Sequence, residues 1–197
     1  QIEFFSLENT TDFILGNNGE VIVNKPLDYE RQKSYSLVAT VRDKGDPHLE
    51  SQTLIDIEIA NVDDTAPFFT VERYEFIISE KAPTGMVIVD LLASDADTKT
   101  LLFTPVIPLD RHFKLQGNRI TVAETFDVEK DGEDYFMSFK VSDGNLVSGN
   151  DAVVTVKVLD VNDKEPRFTK SVYDASILER QEYKENIIVV NATDGDR

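Results

Sequence analysis

Apolar and polar residues alternate along several short segments of the chain. Residues 54–59 and 154–158 carry aliphatic side chains at every second position, and residues 35–41, 74–78 and 135–141 repeat the pattern with aromatic side chains included. A period of two predicts β-strands, because successive side chains of a strand point to opposite faces of its sheet. Gly, Asn, Asp and Pro separate the segments, and no apolar stripe has the length and period of a helix. The pattern therefore predicts an all-β fold.

These segments belong to an internal repeat with a period of 99 residues. The pairs at this offset are Pro67 and Pro166, Phe69 and Phe168, Tyr74 and Tyr173, Glu80 and Glu179, Asp95 and Asp194, Asp97 and Asp196, Asp28 and Asp127, and Glu30 and Glu129. Tyr35, Leu37, Val41 and Asp43 recur 100 positions later, which indicates one residue inserted in a turn. A unit of this size, with many short strands, favours tandem Greek-key, seven-stranded β-sandwiches over one large barrel.

Each predicted unit boundary is marked by a proline that follows an acidic stretch, at Pro67 and at Pro166. On this basis, residues 1–66 form the C-terminal two-thirds of one repeat and residues 67–165 form a complete repeat. Residues 166–197 form the N-terminal strands of a third. We expect the chain to be part of a longer tandem array, with one complete and two partial repeats.

The charge balance narrows the possible partners. The chain carries 37 acidic against 20 basic residues, a formal net charge of −17, which argues against nucleic acid and anionic membrane surfaces. No apolar run approaches the roughly 20 residues of a membrane span, so we expect no membrane contact by this segment. The absence of cysteine excludes disulfides, thiolate zinc sites and a cysteine nucleophile. His48 and His112 are expected in surface or loop positions, because neither has a catalytic or metal-binding partner at motif spacing.

The recurring acidic residues lie close to the predicted unit ends. Without them, acidic and basic residues would nearly balance. The first group is Asp28, Glu30, Asp63, Asp64, Asp95, Asp97 and Asp143, and the second is Glu80, Asp127, Glu129, Asp160, Asp163, Asp194 and Asp196. Carboxylates gathered in this way repel one another strongly unless a cation lies among them. Oxygen ligands without His or Cys select calcium or magnesium, and sets this rich in carboxylates and carbonyls favour calcium, with 6 to 8 oxygens at about 2.3–2.6 Å.

Five motifs, in the same order in both units, resemble those of the cadherin family, and the resemblance covers the whole chain. Residues 27–30 (Leu-Asp-Tyr-Glu) and 126–129 (Phe-Asp-Val-Glu) resemble the family's Asp-Arg-Glu motif, and residues 160–168 resemble its Asp-x-Asn-Asp-x-x-Pro-x-Phe linker. Residues 95–97 and 194–196 resemble its Asp-x-Asp motif. The remaining matches are Glu80 and Glu179 with the first-strand glutamate, and Asp43 and Asp143 with the late-strand aspartate.

The resemblance implies three calcium ions between successive repeats. At the first junction the implied ligands are Asp28, Glu30 and Asp64 for the outermost ion, Glu30, Asn61, the Val62 carbonyl, Asp64 and Asp97 for the middle ion, and Asp63, the Thr65 carbonyl, Asp95, Asp97 and Asp143 for the third. Here Asn61 stands where the family has Asp, and Asp63 where it has Asn. One negative charge therefore moves from the middle ion to the third.

The second junction follows the same scheme. Its implied ligands are Glu80, Asp127, Glu129 and Asp163 for the outermost ion, Glu80, Glu129, Asp160, the Val161 carbonyl, Asp163 and Asp196 for the middle ion, and Asn162, the Lys164 carbonyl, Asp194 and Asp196 for the third. Lys164 replaces a common Asn, a change expected to have little effect if only the backbone oxygen binds. Glu179 and Asp43 would belong to junctions beyond this segment.

The resemblance implies a segment of a calcium-dependent cell–cell adhesion ectodomain, not an enzyme. Its junction ions would rigidify a rod that presents adhesive surfaces to another cadherin ectodomain, homophilic or heterophilic, outside a plasma membrane that anchors the parent protein. The sequons at Asn9 and Asn191 agree with a secreted glycoprotein. Because the segment contains no tryptophan, we expect that this stretch does not adhere by exchanging a Trp-bearing first strand.

Two other functions are compatible with a β-sandwich. One is a calcium-independent extracellular spacer, which the charge distribution disfavours. The other is a hydrolase with two catalytic carboxylates about 5–10 Å apart, such as a glycosidase. It is disfavoured because the carboxylates repeat in both units and few aromatic side chains are present to line a sugar site.

Overall fold

The computed structural model describes residues 2–179 and 186–196, and its regular structure is almost entirely β-strand. The chain divides into two compact units. The first contains the residues up to Thr65 together with Asp95–Lys99, and the second contains Ala66–Ser94 and the residues from Thr100 onward. The all-β prediction is confirmed. The repeat boundaries proposed at Pro67 and Pro166 stay predictions.

The first unit is built on a three-stranded antiparallel sheet in the order β1-β4-β5, beside a β2-β3 hairpin. Its strands are β1 (Ile2–Glu8), β2 (Phe13–Leu15), β3 (Val21–Val23), β4 (Ser34–Asp43) and β5 (Glu50–Glu58). Phe13, Tyr35 and Leu37 form the buried core, where the rings of Phe13 and Tyr35 meet edge to face at 4.9 Å. The alternation at residues 35–41 thus reflects one buried face of β4.

The second unit is a sandwich of two main sheets, ordered β10-β13-β14-β7 and β11-β12-β8. Two-residue strands form the further pairs β6-β9 and β15-β16. The elements are β6 (Phe68–Phe69), β7 (Arg73–Ser79), β8 (Val87–Asp90), β9 (Ala93–Ser94), β10 (Leu102–Pro105), β11 (Phe113–Gln116), β12 (Arg119–Val122), α1 (Val128–Asp131), β13 (Asp134–Ser142), β14 (Ala152–Leu159), β15 (Arg167–Phe168) and β16 (Ala192–Thr193).

The two main sheets enclose one apolar core. Ile120 of β12, Phe139 of β13 and Val154 of β14 are all fully buried in the same cluster. Burial of each such side chain contributes about 1.5–3 kcal/mol to folding. Because β13 and β14 alternate strictly between buried and more accessible positions, the two-residue period in the sequence marks the core-facing side of each strand.

The pairing of β7 with β14 brings two acidic segments together. These strands run parallel and in register from Arg73↔Val153 to Ser79↔Leu159, so both end at the same edge of the sandwich. The backbone N–H of Glu80, just after β7, donates a 3.0 Å hydrogen bond to the carbonyl of Leu159. Glu80 therefore lies beside the start of the linker-like segment at residues 160–166.

One of the two histidines expected in surface or loop positions lies in a loop but is buried. His112 lies in a turn before β11 but is only 1% exposed, with its ring stacked on Phe126 at 4.7 Å. Its Nδ1 lies 2.6 Å from Asp110 Oδ1 and its Nε2 lies 3.3 Å from Asp131 Oδ2. Asp110 gives Nδ1 a hydrogen-bond partner, whereas Nε2 lies beside the Asp131 carboxylate and is buried without a hydrogen bond.

Candidate metal centre

Three carboxylates from separate parts of the sequence converge in the first unit. Glu30 lies in the turn before β4, Asp64 in the segment after β5, and Asp97 after β9. One oxygen from each lies within 4.8 Å of the other two. All three residues are predicted ligands of the middle ion at the first junction, so the structure brings together side chains that are far apart in sequence.

Asp97 holds the linker segment of this cluster in place. Its Oδ2 accepts hydrogen bonds from the backbone N–H groups of Thr65 at 2.8 Å and Asp64 at 3.2 Å, and the Asn61 side chain donates to the Asp97 carbonyl at 3.3 Å. The Thr65 N–H lowers the pKa of Asp97. Desolvation, and then a hydrogen bond shared with Asp97, raise the pKa of Glu30, as expected when two carboxyl groups approach without a cation.

Asp95 supports the turn that presents Asp97. Its Oδ1 accepts hydrogen bonds from the backbone N–H groups of Asp97 at 2.7 Å and Thr98 at 2.8 Å. This side-chain turn satisfies one oxygen of Asp95 and leaves Oδ2 buried without a hydrogen bond. The Asp-x-Asp spacing therefore gives one aspartate that shapes the backbone and a second that organises the neighbouring linker.

Asp143, a predicted ligand of the third ion at the first junction, directly follows β13 in the second unit. Its Oδ1 accepts backbone hydrogen bonds from Asn145 at 2.6 Å and Leu146 at 2.7 Å. Its Oδ2 is buried and has no hydrogen-bond partner. One carboxylate oxygen of Asp143 therefore stabilises its own turn, and the other has no hydrogen bond that would compete with a cation.

The second unit contains a corresponding group formed by Glu129 of α1, Asp160 after β14 and Asp196 after β16. One oxygen from each lies within 4.8 Å of the others. Both carboxylate oxygens of Asp196 accept the backbone N–H of Lys164, at 2.9 and 3.1 Å, and the Asp194 Oδ1 accepts the N–H of Asp196 at 3.0 Å. The geometry repeats that of the first unit, with Asp196 and Lys164 in the places of Asp97 and Thr65.

Glu80 is a deeply buried member of the predicted ligand set. Only 3% of it is exposed, and its Oε2 accepts the backbone N–H of Val128 at 3.1 Å. Its Oε1 accepts the backbone N–H of Val161 at 2.7 Å. One carboxylate therefore fastens the start of α1 and the segment after β14 to the end of β7.

The Lys164 side chain is a feature that the sequence reasoning missed. Its Nζ lies 2.9 Å from Asp163 Oδ1, 3.4 Å from Glu129 Oε2 and 3.7 Å from Asp127 Oδ1. The hydrogen bond to Asp163 raises the pKa of Lys164, so the side chain stays cationic. A second lysine, Lys81, lies 3.4 Å from Asp163 Oδ2. The signal available in sequence was the substitution of a cation for a neutral residue inside an acidic linker.

The remaining predicted ligands lie in the same loops but outside the two three-carboxylate groups. Asp28 uses its Oδ1 to accept the Arg31 N–H at 2.8 Å and thereby shapes the turn that carries Glu30. The other acidic ligands outside the groups are Asp63, Glu80, Asp95, Asp127, Asp143, Asp163 and Asp194. The predicted ligands that are not acidic are Asn61, Val62, Thr65, Val161, Asn162 and Lys164. The complete ligand sets therefore stay predictions.

The donor atoms fit a hard cation. Four predicted ligands carry carboxylate oxygens that are buried and accept no hydrogen bond: Asp95 Oδ2, Asp97 Oδ1, Asp143 Oδ2, and both oxygens of Glu129. Buried charged oxygens are destabilising unless a donor or a cation compensates them. Oxygen-only sets of this kind match the preference of calcium or magnesium.

Sequence comparisons find one matching family model and several similar proteins. The cadherin domain family model matches residues 5–60. Human Protocadherin Fat 1 is 32% identical over 188 residues, covering 90% of this chain and 4% of that protein, and human Protocadherin-1 is 32% identical over 180 residues, covering 87% and 17%. The chain thus spans only a small part of the length of these relatives.

Solved structures of similar fold cover the complete chain. Mouse Cadherin-23 EC22-24 is 26% identical with a TM-score of 0.80, covering 100% of this chain and 65% of that one. Protocadherin Gamma B2 extracellular cadherin domains 1-5 is 22% identical with a TM-score of 0.80, covering 100% and 40%. The second likeness supports the fold alone.

None of the helices in the described part of the chain is long and apolar enough to cross a membrane.

The relatives are cadherin-type proteins, a family that is not enzymatic, which argues against the hydrolase alternative. The chain belongs to the cadherin superfamily, as a stretch of tandem extracellular cadherin repeats.

Proposed function

We propose that this segment binds calcium at its two carboxylate clusters and forms part of a cell–cell adhesion ectodomain. The observation that carries the proposal is the set of buried carboxylate oxygens without hydrogen bonds, all on residues predicted as ligands. The ligand sets would be those given for the two junctions, with Glu30, Asp64 and Asp97 at the centre of one and Glu129, Asp160 and Asp196 at the centre of the other. Calcium would supply positive charge to these carboxylates.

The bound ions would act mechanically. By neutralising the carboxylates and linking loops from successive repeats, they would rigidify the rod that presents an adhesive surface. The partner would be another cadherin ectodomain, and the parent protein would be anchored in the plasma membrane. Millimolar calcium outside cells suits weak sites of this type.

Calorimetric titration of chelator-treated protein tests calcium binding. We expect heat from calcium, a weaker response to magnesium, and loss of the calcium signal in a double variant Glu30→Gln, Glu129→Gln. Absence of binding to the unaltered chain would reject the proposal and leave the calcium-independent spacer as the alternative function.

Limited proteolysis tests the mechanical role separately. We expect cleavage near Asp63 or Asp163 to be faster in chelator than in calcium, while the apolar core of the second unit stays protected. Equal cleavage rates in the two conditions would show that the ions do not restrain these segments.

A further inference from the structure

We propose that the Lys164 side chain acts as a counter-ion for the second carboxylate cluster, the one centred on Glu129, Asp160 and Asp196. Calcium must displace this lysine in order to bind there. This inference rests on the proposed calcium binding and adds that the two clusters differ in affinity. The first cluster would fill at lower calcium concentration, and the second would retain a neutralising charge when calcium is removed.

The position of the ammonium group supports this role. Its three carboxylate contacts, with Asp163, Glu129 and Asp127, are all to predicted ligands of the outermost ion, at 2.9 to 3.7 Å. Glu129 is the least accessible of these, with 17% of its side chain exposed. A calcium ion bound by the same oxygens would occupy the region where the lysine now supplies positive charge.

The backbone around Lys164 holds the side chain in this place. Asp196 fixes the Lys164 backbone N–H, and the aliphatic stem of the lysine lies against Gly195. A Cβ at position 195 would lie 3.0 Å from Lys164 Cγ and 3.3 Å from its Cβ, closer than ordinary van der Waals contact. The glycine thus leaves room for the lysine stem to reach the carboxylates.

The first cluster has neither feature. The positions 99 residues earlier are Thr65 and Ala96, so a threonine and an alanine replace the lysine and the glycine. Thr65 Oγ1 donates to Asp64 Oδ1 at 3.3 Å. Within residues 2–179 and 186–196, no lysine or arginine forms an ion pair with Glu30, Asp64 or Asp97. The lysine and glycine occur together in one repeat and are absent together from the other.

One substitution should raise the calcium affinity of the second cluster and lower the melting temperature in chelator, so measuring both quantities tests the inference. We would replace Lys164 by the residue of the other repeat, Lys164→Thr, in a Glu30→Gln background that weakens the first cluster. Calcium affinity measured by calorimetry should increase about fivefold, the scale expected when partly exposed ion pairs no longer compete. The melting temperature in chelator should fall by a few degrees, because the cluster loses its counter-charge.

A second variant tests whether the position of the Lys164 ammonium group matters, and not only its presence. Gly195→Ala keeps the lysine but displaces its stem, so it should shift affinity and melting temperature in the same directions as Lys164→Thr, by smaller amounts. The control Lys114→Thr removes a lysine from β11, which contributes no contact to the cluster, and should leave both measurements unchanged.

The outcomes distinguish this inference from the proposed function. If the unaltered chain binds calcium but Lys164→Thr changes neither affinity nor melting temperature, the counter-ion role is rejected and calcium binding stands. If the unaltered chain binds no calcium, the proposed function fails and the competition with it. An unchanged melting temperature in chelator would then also reject the counter-ion role.

Discussion

The Glu80 carboxylate accepts a 2.7 Å hydrogen bond from the backbone N–H of Val161, 81 positions later in the sequence. Its second oxygen accepts the N–H of Val128 at 3.1 Å. A residue predicted as a metal ligand is therefore also a structural connection between the first and last long strands of the second unit. Its loss should affect folding even in the absence of an ion.

We expect Glu80→Ala to lower the free energy of unfolding of the second unit by about 1–3 kcal/mol in chelator, because two backbone donors lose their acceptor. Chemical denaturation measures this change. The control Glu75→Ala removes an exposed glutamate from β7 and should change stability by less than about 0.5 kcal/mol. Equal effects of the two variants would contradict the structural role of Glu80.

A pair of phenylalanines on β13 tests the predicted core. Phe139 is fully buried and Phe136 is 67% exposed, although they lie three residues apart on one strand. We expect Phe139→Ala to destabilise the second unit by about 3–5 kcal/mol, because it removes contacts and leaves a cavity. Phe136→Ala should cost less than about 0.5 kcal/mol, as measured by denaturant unfolding. Similar losses of stability in the two variants would show that the buried face of β13 is assigned wrongly.

The first unit should lose stability in acid through Asp12. Asp12 Oδ2 accepts hydrogen bonds from Tyr35 Oη at 2.9 Å and Arg31 Nη2 at 3.1 Å, and these contacts lower the pKa of Asp12 in the folded chain. A depressed folded-state pKa gives stability that is fully present above the unfolded value of about 3.9 and is lost as pH falls through the folded value.

Hydrogen exchange of β4 amides at pH 7 and at about pH 3 should therefore show a greater loss of protection in the unaltered chain than in Asp12→Asn. The control Glu20→Gln removes an exposed acid from the turn before β3 and should retain the acid-dependent loss. If Asp12→Asn and the unaltered chain lose equal protection, the Asp12 contacts do not contribute to this pH dependence.

Calcium binding at the first cluster should weaken as the pH falls. The pKa of Glu30 is raised, so this carboxyl group takes up a proton at a higher pH than an ordinary glutamate and must release it to bind an ion. Calorimetry on the variant Glu129→Gln, which weakens the second cluster, measures this release. A released proton is taken up by the buffer, so the heat of calcium binding should differ between two buffers of different ionisation enthalpy. Calcium binding without proton release as the pH is lowered would contradict the expectation.

The strands and the separate members of the acidic clusters could be predicted from sequence because both rest on local patterns. The alternation in residues 54–59 and 154–158 corresponds to β5 and β14, and the repeated offset identified Asp97 and Asp196 as equivalent. The Lys164 contacts could not be predicted in this way. They depend on where a flexible side chain lies relative to loops from elsewhere in the chain.

The burial of His112 was missed for a related reason. Its turn has the polar sequence of an accessible loop, and Asp110 is close in sequence, but Asp131 and Phe126 reach it only through the folded sandwich. The Asp12–Tyr35 hydrogen bond likewise joins residues whose separation follows no repeat or motif. Spacing along the chain contains no information about such contacts.

The parallel register of β7 and β14 determines how the second unit would respond to a stretching force. The start of β7 and the end of β14 lie at opposite ends of the paired strands, so tension applied there would slide one strand along the other. The seven paired residues from Arg73↔Val153 to Ser79↔Leu159 would then be loaded together in shear. A hairpin pulled from its open end separates one pair at a time, whereas this arrangement requires several backbone hydrogen bonds to break at once.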